Sequence, residues 1–355
     1  MAKSIKLQLD VELGISEISE NIIPDSILLE IFNYLSFIEL SRASQVCKTW
    51  YRVAHDDSLR KIIDVRGKSL SIKQVWKLLR YQCTPILRDL RLKGYVFLSK
   101  GKPNWRRATV SQAVLSKLQK QCPDIKTLCL EEVFLGAHVN GNGLNICNFP
   151  RTLTCLSFKK CFLHCDKLFG TNASKYLPYL EHLDLSYCTL VCSHDMIYFS
   201  EFKHLKKLYI NGCYRINDGG LEHISSIFCN LQVLDVEETD ICNNSIIAIL
   251  KNGINLKELY IGHNLITDIP FVTITKSSSL EILCLQNTLV TDCTLKSFAD
   301  VFSNLKHLNI QGTKISEKKI KEHLNVKLPN CFVKCDKTFA KCDHSSAHWL
   351  CHQKY

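Results

Sequence analysis

Nowhere in the 355 residues is there an uncharged apolar run of 18 or more, the length a helix needs to cross the hydrocarbon of a bilayer. The opening stretch MAKSIKLQLDVEL carries Lys3, Lys6, Asp10 and Glu12 and no continuous apolar segment. Neither a secretion signal nor a membrane span is therefore expected. Catalytic signatures are missing too: there is no G-x-S-x-G, no GxxxxGK phosphate loop, no H-E-x-x-H, and no cysteine with a motif-level histidine partner. The chain is expected to be non-catalytic and to carry no cofactor.

Two further classes lack support despite features that invite them. The formal net charge is +11, which would suit a phosphate backbone. From Leu305 onward, however, there are ten lysines and four acidic residues, so more than half of the excess sits at one end. No zinc finger, helix-turn-helix or aromatic-studded RNA motif accompanies it, and nucleic acid is not an expected partner. The 19 cysteines would suggest a disulfide framework in a small secreted domain, but the count is odd and no export signal precedes them. They are expected to be reduced thiols of a cytoplasmic or nuclear protein, most of them small core residues.

What is present is a repeat. The frame L-x-x-L-x-L-x-x-C/N/T begins at Leu87, Ile125, Leu153, Leu180, Leu205, Leu231, Leu256, Leu280 and Leu305, in steps of 38, 28, 27, 25, 26, 25, 24 and 25 residues. A period in this range signals a stacked array. Each frame predicts a short strand with an alternating apolar pair, such as Leu183 and Leu185, on its buried side. Cys161, Cys188, Cys213, Thr239, Asn264, Thr288 and Thr313 follow where the chain turns out of the strand, a place for small residues that satisfy backbone groups. Helix entries are read at INDGGLEHI (Ile216), ITDIPFVTI (Ile266), VTDCTLKSF (Val290) and ISEKKIKEHL (Ile315). Capping boxes are read at Ser71/Gln74 and at Thr109/Gln112. A single unit cannot bury its own apolar face, so neighbours must share a core in a curved α/β solenoid. These units resemble the cysteine-containing leucine-rich repeats, and LPNCFVKC from Leu328 is expected to close the array.

Ahead of the repeats the period becomes helical. IPDSILLEIFNYL spaces Ile27, Leu28, Ile31, Phe32 and Leu35 along one face behind Pro24, and FIELSRASQVCKTWYRVA sets Leu40, Val46, Cys47, Trp50 and Val53 at apolar positions. About 40 residues make a marginal core, so this module is expected to lean on a partner or on the first repeats. The run IPDSILLEIFNYL, LSRASQVCKTWYRVAHDDSL, IIDV resembles an F-box, departing at Ile23, where leucine is usual, and at Arg60, where tryptophan is common. Together with VWKLLRYQ, LRDLRLKGYVF and LSKLQKQCPDIKTLCL, it makes the chain similar to the F-box/leucine-rich-repeat family. The resemblance implies an all-α three-helix module that docks on the Skp adaptor, and through it on a cullin–RING ubiquitin ligase, by Pro24, Leu28, Ile31, Phe32, Leu35, Leu40, Val46, Cys47 and Trp50. It implies a substrate-recognition subunit of a Skp–cullin–F-box (SCF) ligase. The alternative is a repeat scaffold or inhibitor that binds a basic protein without ubiquitination. The expected layout is a leader over 1–21, the F-box over 22–65, the solenoid over 66–335 and a tail over 336–355.

Residues flanking the buried strand pairs should point to the concave face. From Glu131 onward these read Glu131, Glu132, Asp184, Asp235, Glu237, Glu238 and Glu258 against Lys159, Lys160 and Lys207, with Tyr187, Tyr209 and Tyr260 interleaved. Asp184, Tyr187, Tyr209, Asp235, Glu237, Glu258 and Tyr260 are thus the candidate substrate contacts, a surface suited to a basic or amphipathic protein segment. In the tail, Cys331, Cys335, Cys342, His344, His348, Cys351 and His352 lack the paired short spacings of structural zinc. No metal is expected; the tail is read as mobile or folded back over the groove. Alternation in SIKLQLDVEL suits an edge strand or a flexible leader.

Overall fold

The computed structural model describes residues 23–95, 109–135, 144–274 and 279–335. The leader, the tail beyond Cys335 and the polar loop from Lys100 to Arg107 lie outside the described residues. The chain divides into two compact units between Ile62 and Ile63.

The first unit is helical. Pro24 precedes the helix Asp25–Phe32. The second expected segment is broken into Phe37–Ala43 and Lys48–Ala54 by two separate caps. Ser36 and Glu39 form a reciprocal capping box at the first, the Ser36 hydroxyl accepting from the Glu39 N–H at 3.3 Å while the Ser36 N–H donates to the carboxylate at 2.7 Å. At the second, the Cys47 sulfur accepts from the Trp50 N–H at 3.4 Å. Leu28 and Phe32, four residues apart and so on one helical face, pack with Leu40, Ala43, Val53, Ala54 and Leu59. The Trp50 ring meets Phe32 edge-on at 5.2 Å, and an Asp25–Arg52 ion pair of 2.6 Å joins the first helix to the third.

The second unit is built on an open sheet of 11 strands in sequence order. They are β1 (Ile62–Ser69), β2 (Asp89–Lys93), β3 (Thr127–Glu131), β4 (Cys155–Ser157), β5 (His182–Asp184), β6 (Lys207–Tyr209), β7 (Val233–Asp235), β8 (Glu258–Tyr260), β9 (Ile282–Cys284), β10 (His307–Asn309) and β11 (Phe332–Lys334). From β2 to β11 each pairs in parallel with the next. IIDV, grouped by sequence with the helical module, is the start of β1. The register aligns Leu128, Leu156, Leu183, Leu208, Leu234, Leu259, Leu283 and Leu308 in one column, all essentially inaccessible to solvent. Phenylalanines fill the space behind it in two groups, Phe149, Phe158, Phe169 and Phe199, then Phe271, Phe298 and Phe302, mostly edge-to-face.

Repeat after repeat leaves its strand through a residue in the left-handed region: Glu132, Lys160, Tyr187, Gly212, Glu238, His263, Asn287 and Gly312. The side chain that follows closes the turn. Cys188 donates to the Phe158 carbonyl at 2.9 Å and Cys213 to that of Leu185 at 3.2 Å. Thr288 and Thr313 each reach back three residues to a carbonyl at 2.7 Å. Asn264 serves both neighbours, donating to the carbonyls of Val236, Ile261 and Gly262 and accepting from the Thr239 N–H. Buried carbonyls left bare are expensive, and from Cys161 to Thr313 a Cys, Thr or Asn side chain at this position meets that need.

Helix starts mostly follow the sequence, although Ile269–Thr273 starts after Asp268 and not after Thr267. Asn217 caps Asp218–His223 and Ser71 caps Ile72–Tyr81 as read. Thr109 does not cap Gln112–Gln121; Ser111 does, accepting from the Val114 N–H. Thr109 is buried and donates instead to the Leu70 carbonyl at 2.8 Å, a contact 39 residues back that no local pattern reveals.

Candidate protein-binding surfaces

The helical module divides the expected adaptor residues into two sets. Leu28, Phe32 and Leu40 are the module's own core, only 3%, 1% and 6% exposed, with Leu35 and Trp50 half-buried against them. Pro24, Ile31, Val46 and Cys47 are at the surface. Leu28, Phe32 and Leu40, expected among the adaptor residues, turn inward in this structure, where the three helices need them. Beside Ile31 lie exposed Ile27, which the sequence places on the apolar stripe but not in the adaptor set, and exposed Tyr34, Ile38 and Tyr51, which it does not single out. Ile27 and Ile31 share a helix face, one turn apart. Apolar side chains left in water on so small a unit make this face a candidate binding surface.

On the sheet, alternate strand residues point away from the leucine column. Asp184 is there, half-buried, its carboxylate accepting from the Ser157 hydroxyl at 2.8 Å and from the Ser186 N–H at 2.9 Å. Glu258 accepts from the Tyr260 hydroxyl at 2.9 Å. Between them the surface is less acidic than the sequence suggests. Asp235 is 0% exposed, and burial, followed by the nearby Glu237 carboxylate, holds its carboxyl well above the usual range. Desolvation therefore favours the neutral acid there. Tyr260 packs with Val233, Ile282 and Cys284, all buried, and the half-buried Tyr209 leans on this cluster. Tyr187, Glu132, Lys160 and Glu238 occupy the left-handed turns beyond the strands rather than the face itself. The period of two stops at the turn, and only the backbone shows where.

At the amino-terminal end, Arg91 grips Asp89 with bonds of 3.0 and 2.6 Å, and Arg66 holds Asp64 at 2.7 Å. Each guanidinium bonds a carboxylate two residues away on its own strand, in fork geometry. The Arg91 pKa is raised chiefly by that hydrogen bond.

The cysteines fall into classes. Cys161, Cys188 and Cys213 sit in the turn ladder, where desolvation pushes their thiols up, Cys213 to about 12. They are neutral hydrogen-bond donors in the core. Among the described residues no helix is long and apolar enough to cross a membrane, and no three His, Cys, Asp or Glu side chains converge on a metal position.

Comparison with known proteins agrees with both units. Residues 21–66 match the F-box-like family, and residues 254–297 match Leucine Rich repeats (2 copies). The chain is 28% identical over 318 residues to F-box/LRR-repeat protein 12 of Homo sapiens, covering 88% of this chain and 94% of that protein. The Mus musculus protein of the same name is 26% identical over 317 residues, with the same coverage. A chain in the crystal structure of the Rad7 and Elc1 complex in yeast superposes with a TM-score of 0.52 at 14% identity, over 94% of this chain and 97% of that one. At that identity the likeness concerns the fold. An F-box-like module followed by leucine-rich repeats, similar along most of its length to F-box/LRR-repeat proteins, describes this chain.

Proposed function

We propose that this chain is the substrate-recognition subunit of an SCF ubiquitin ligase: its helical module docks on the Skp adaptor, and its repeats hold a protein to be ubiquitinated. The observation that carries the reading is the pairing of an F-box-like match over 21–66 with a helical unit that leaves Ile27, Ile31 and Val46 in solvent. Those side chains give an adaptor apolar area to bury, while Leu28 and Phe32 hold the helices that present them. The substrate surface is the open face of the sheet. There the partly exposed Asp184, Tyr209, Glu237 and Glu258, on a packed floor that includes Tyr260 and Ile282, suit a protein segment with basic residues. Chemistry on ubiquitin belongs to the ligase partners, and this chain contributes proximity.

The test is recovery of Skp adaptor and cullin with the tagged full-length chain from cells. Their presence in stoichiometric amounts, and their loss when Ile27, Ile31 and Val46 are replaced together, is the expected result. A folded chain that recovers neither would instead favour a repeat scaffold acting without ubiquitination.

A further inference from the structure

We propose that the exposed side of the helices Ile72–Tyr81 and Gln112–Gln121 is a docking site for an acidic segment of a partner protein. Neither helix contains an aspartate or glutamate, and together they carry Lys73, Lys77, Arg80, Lys117 and Lys120, all exposed. Lys73, Trp76, Lys77 and Arg80 follow the i, i+3, i+4, i+7 spacing that puts them on one face, while Val75 and Leu79 are buried behind them. The helices lie side by side: the Gln121 amide donates to the Leu79 carbonyl at 2.8 Å, and the Cys122 thiol to that of Thr84 at 3.3 Å. Lys117 stands one turn before Gln121, on the flank nearer the first helix. The two basic faces therefore form one surface.

Most of these charges work against the fold. Lys73 and Lys77 at i,i+4, and Lys77–Arg80 and Lys117–Lys120 at i,i+3, are like-charge neighbours, which oppose helix formation. Lys73 also sits in the first turn, where the helix dipole disfavours a cation; only Arg80 and Lys120, in the last turns, suit it. No carboxylate among the described residues pairs with any of the five. Elsewhere exposed lysines have partners: Lys206 meets Glu181 at 2.8 Å, Lys306 meets Glu281 at 2.6 Å, and Lys319 and Lys327 meet Glu322 and Asp300 at 2.7 Å. The flanking acids Asp89 and Asp124 are taken up by Arg91 and Arg88. A set of unneutralised cations that costs helix stability is accounted for by a partner of opposite charge.

Size and chemistry select the occupant. The stripe from Lys73 to Arg80 runs about 10 Å along the helix, a length matched by about three or four residues of extended chain. Trp76, 38% exposed among the cations, offers a ring face to one apolar side chain within an acidic run. Four of the five cations are lysines, which lack the bidentate fork of arginine for phosphate, and a strong nucleic-acid binder makes about six to ten phosphate contacts. No apolar face is left for a bilayer, because Val75, Leu79, Val114, Leu115 and Leu118 are turned inward. The open face of the sheet has the opposite sign at Asp184, Glu237 and Glu258, so the two surfaces take different ligands.

The test uses the full-length chain and a fluorescein-labelled glutamate peptide with one central leucine, read by fluorescence anisotropy. Lys73→Gln, Lys77→Gln, Lys117→Gln and Lys120→Gln together should raise the Kd at least about tenfold, because exposed ion pairs are each worth a factor of about two and four of them multiply. Lys206→Gln, Lys306→Gln, Lys319→Gln and Lys327→Gln change the net charge equally and should leave the Kd within about twofold of the parent. Trp76→Gln should weaken the leucine peptide at least about threefold and leave an all-glutamate peptide unchanged. Thermal melts follow folding: the first quadruple variant relieves repulsion and should melt no lower than the parent. The proposal is overturned by the absence of saturable peptide binding, by equal losses in the two quadruple variants, or by a lower melting temperature of the first. Tighter binding of a labelled oligouridylate or of phosphatidylserine vesicles than of the peptide would overturn it as well.

Discussion

Replacing Ile27, Ile31 and Val46 together by alanine separates docking from folding in the helical module. The three side chains are 48%, 46% and 64% exposed in the free chain. Fully burying such a side chain is worth about 1.5–3 kcal/mol, of which roughly half remains available here, so each truncation should remove about 1 kcal/mol of binding. Summed, about 3 kcal/mol corresponds to roughly a hundredfold rise in the Kd for the adaptor. Stability should change much less than in a core truncation, because about half of each side chain is already in water. Leu28→Ala is the contrast: it empties a buried site against Phe32, at a loss of about 2–5 kcal/mol of folding free energy. The assay is calorimetric titration of purified Skp adaptor into each full-length variant, alongside a thermal melt. A triple variant that melts like the parent and binds within threefold of it would refute the argument that this exposed apolar set is the docking surface.

Four further outcomes are expected. Because native Asp235 holds its proton to higher pH than the unfolded chain does, its burial lowers stability as pH rises from the ordinary carboxylate range through the raised pKa, by about 1.4 kcal/mol per unit in that window. Asp235→Asn should remove that slope in urea melts taken from pH 3 to pH 8 and be more stable than the parent at pH 7, while its amide oxygen still accepts from the Glu237 N–H. Asn264→Ala should lose about 3 kcal/mol in the same melts, since it strips the partners from buried groups of two adjacent repeats. Gly212→Ala should lose about 1–3 kcal/mol, because φ is +71° there and a Cβ would collide with the Tyr187 ring. Glu237→Lys with Glu258→Lys should lose a basic substrate while leaving adaptor binding at the parental Kd, as measured by parallel pull-downs; retention of substrate would move the recognition surface elsewhere.

Much of this molecule is legible in its residues because the informative patterns are local. The leucine frame recurs at nearly constant spacing, and the strand register puts those leucines in one column. The Cys/Thr/Asn position reads as a turn and is one. The first cap of the repeat region also follows, because Ser71 and Gln74 need only each other. Thr109 is misread for the opposite reason: its partner is the Leu70 carbonyl, far away in sequence. The adaptor set is half resolved, since a helical stripe names the apolar residues but does not say which of them the neighbouring helices cover.

The amino-acid sequence by itself determines that strands and turns repeat, that apolar side chains alternate within them, and that a short helical module precedes the array. These are consequences of periodicity, and each is set within about one repeat of chain. Only the tertiary structure decides how exposed a polar residue is. Asp235, Glu237 and Glu258 look equivalent in the frame, yet the apolar contacts of Val233 and Tyr260 on neighbouring strands accompany a fully buried Asp235 and leave the other two partly in water. Likewise Cys129, Cys155 and His182 are separated by 26 and 27 residues, and parallel pairing makes them neighbours. Burial and charge environment arise between strands, where the sequence spacing within any one repeat carries no information.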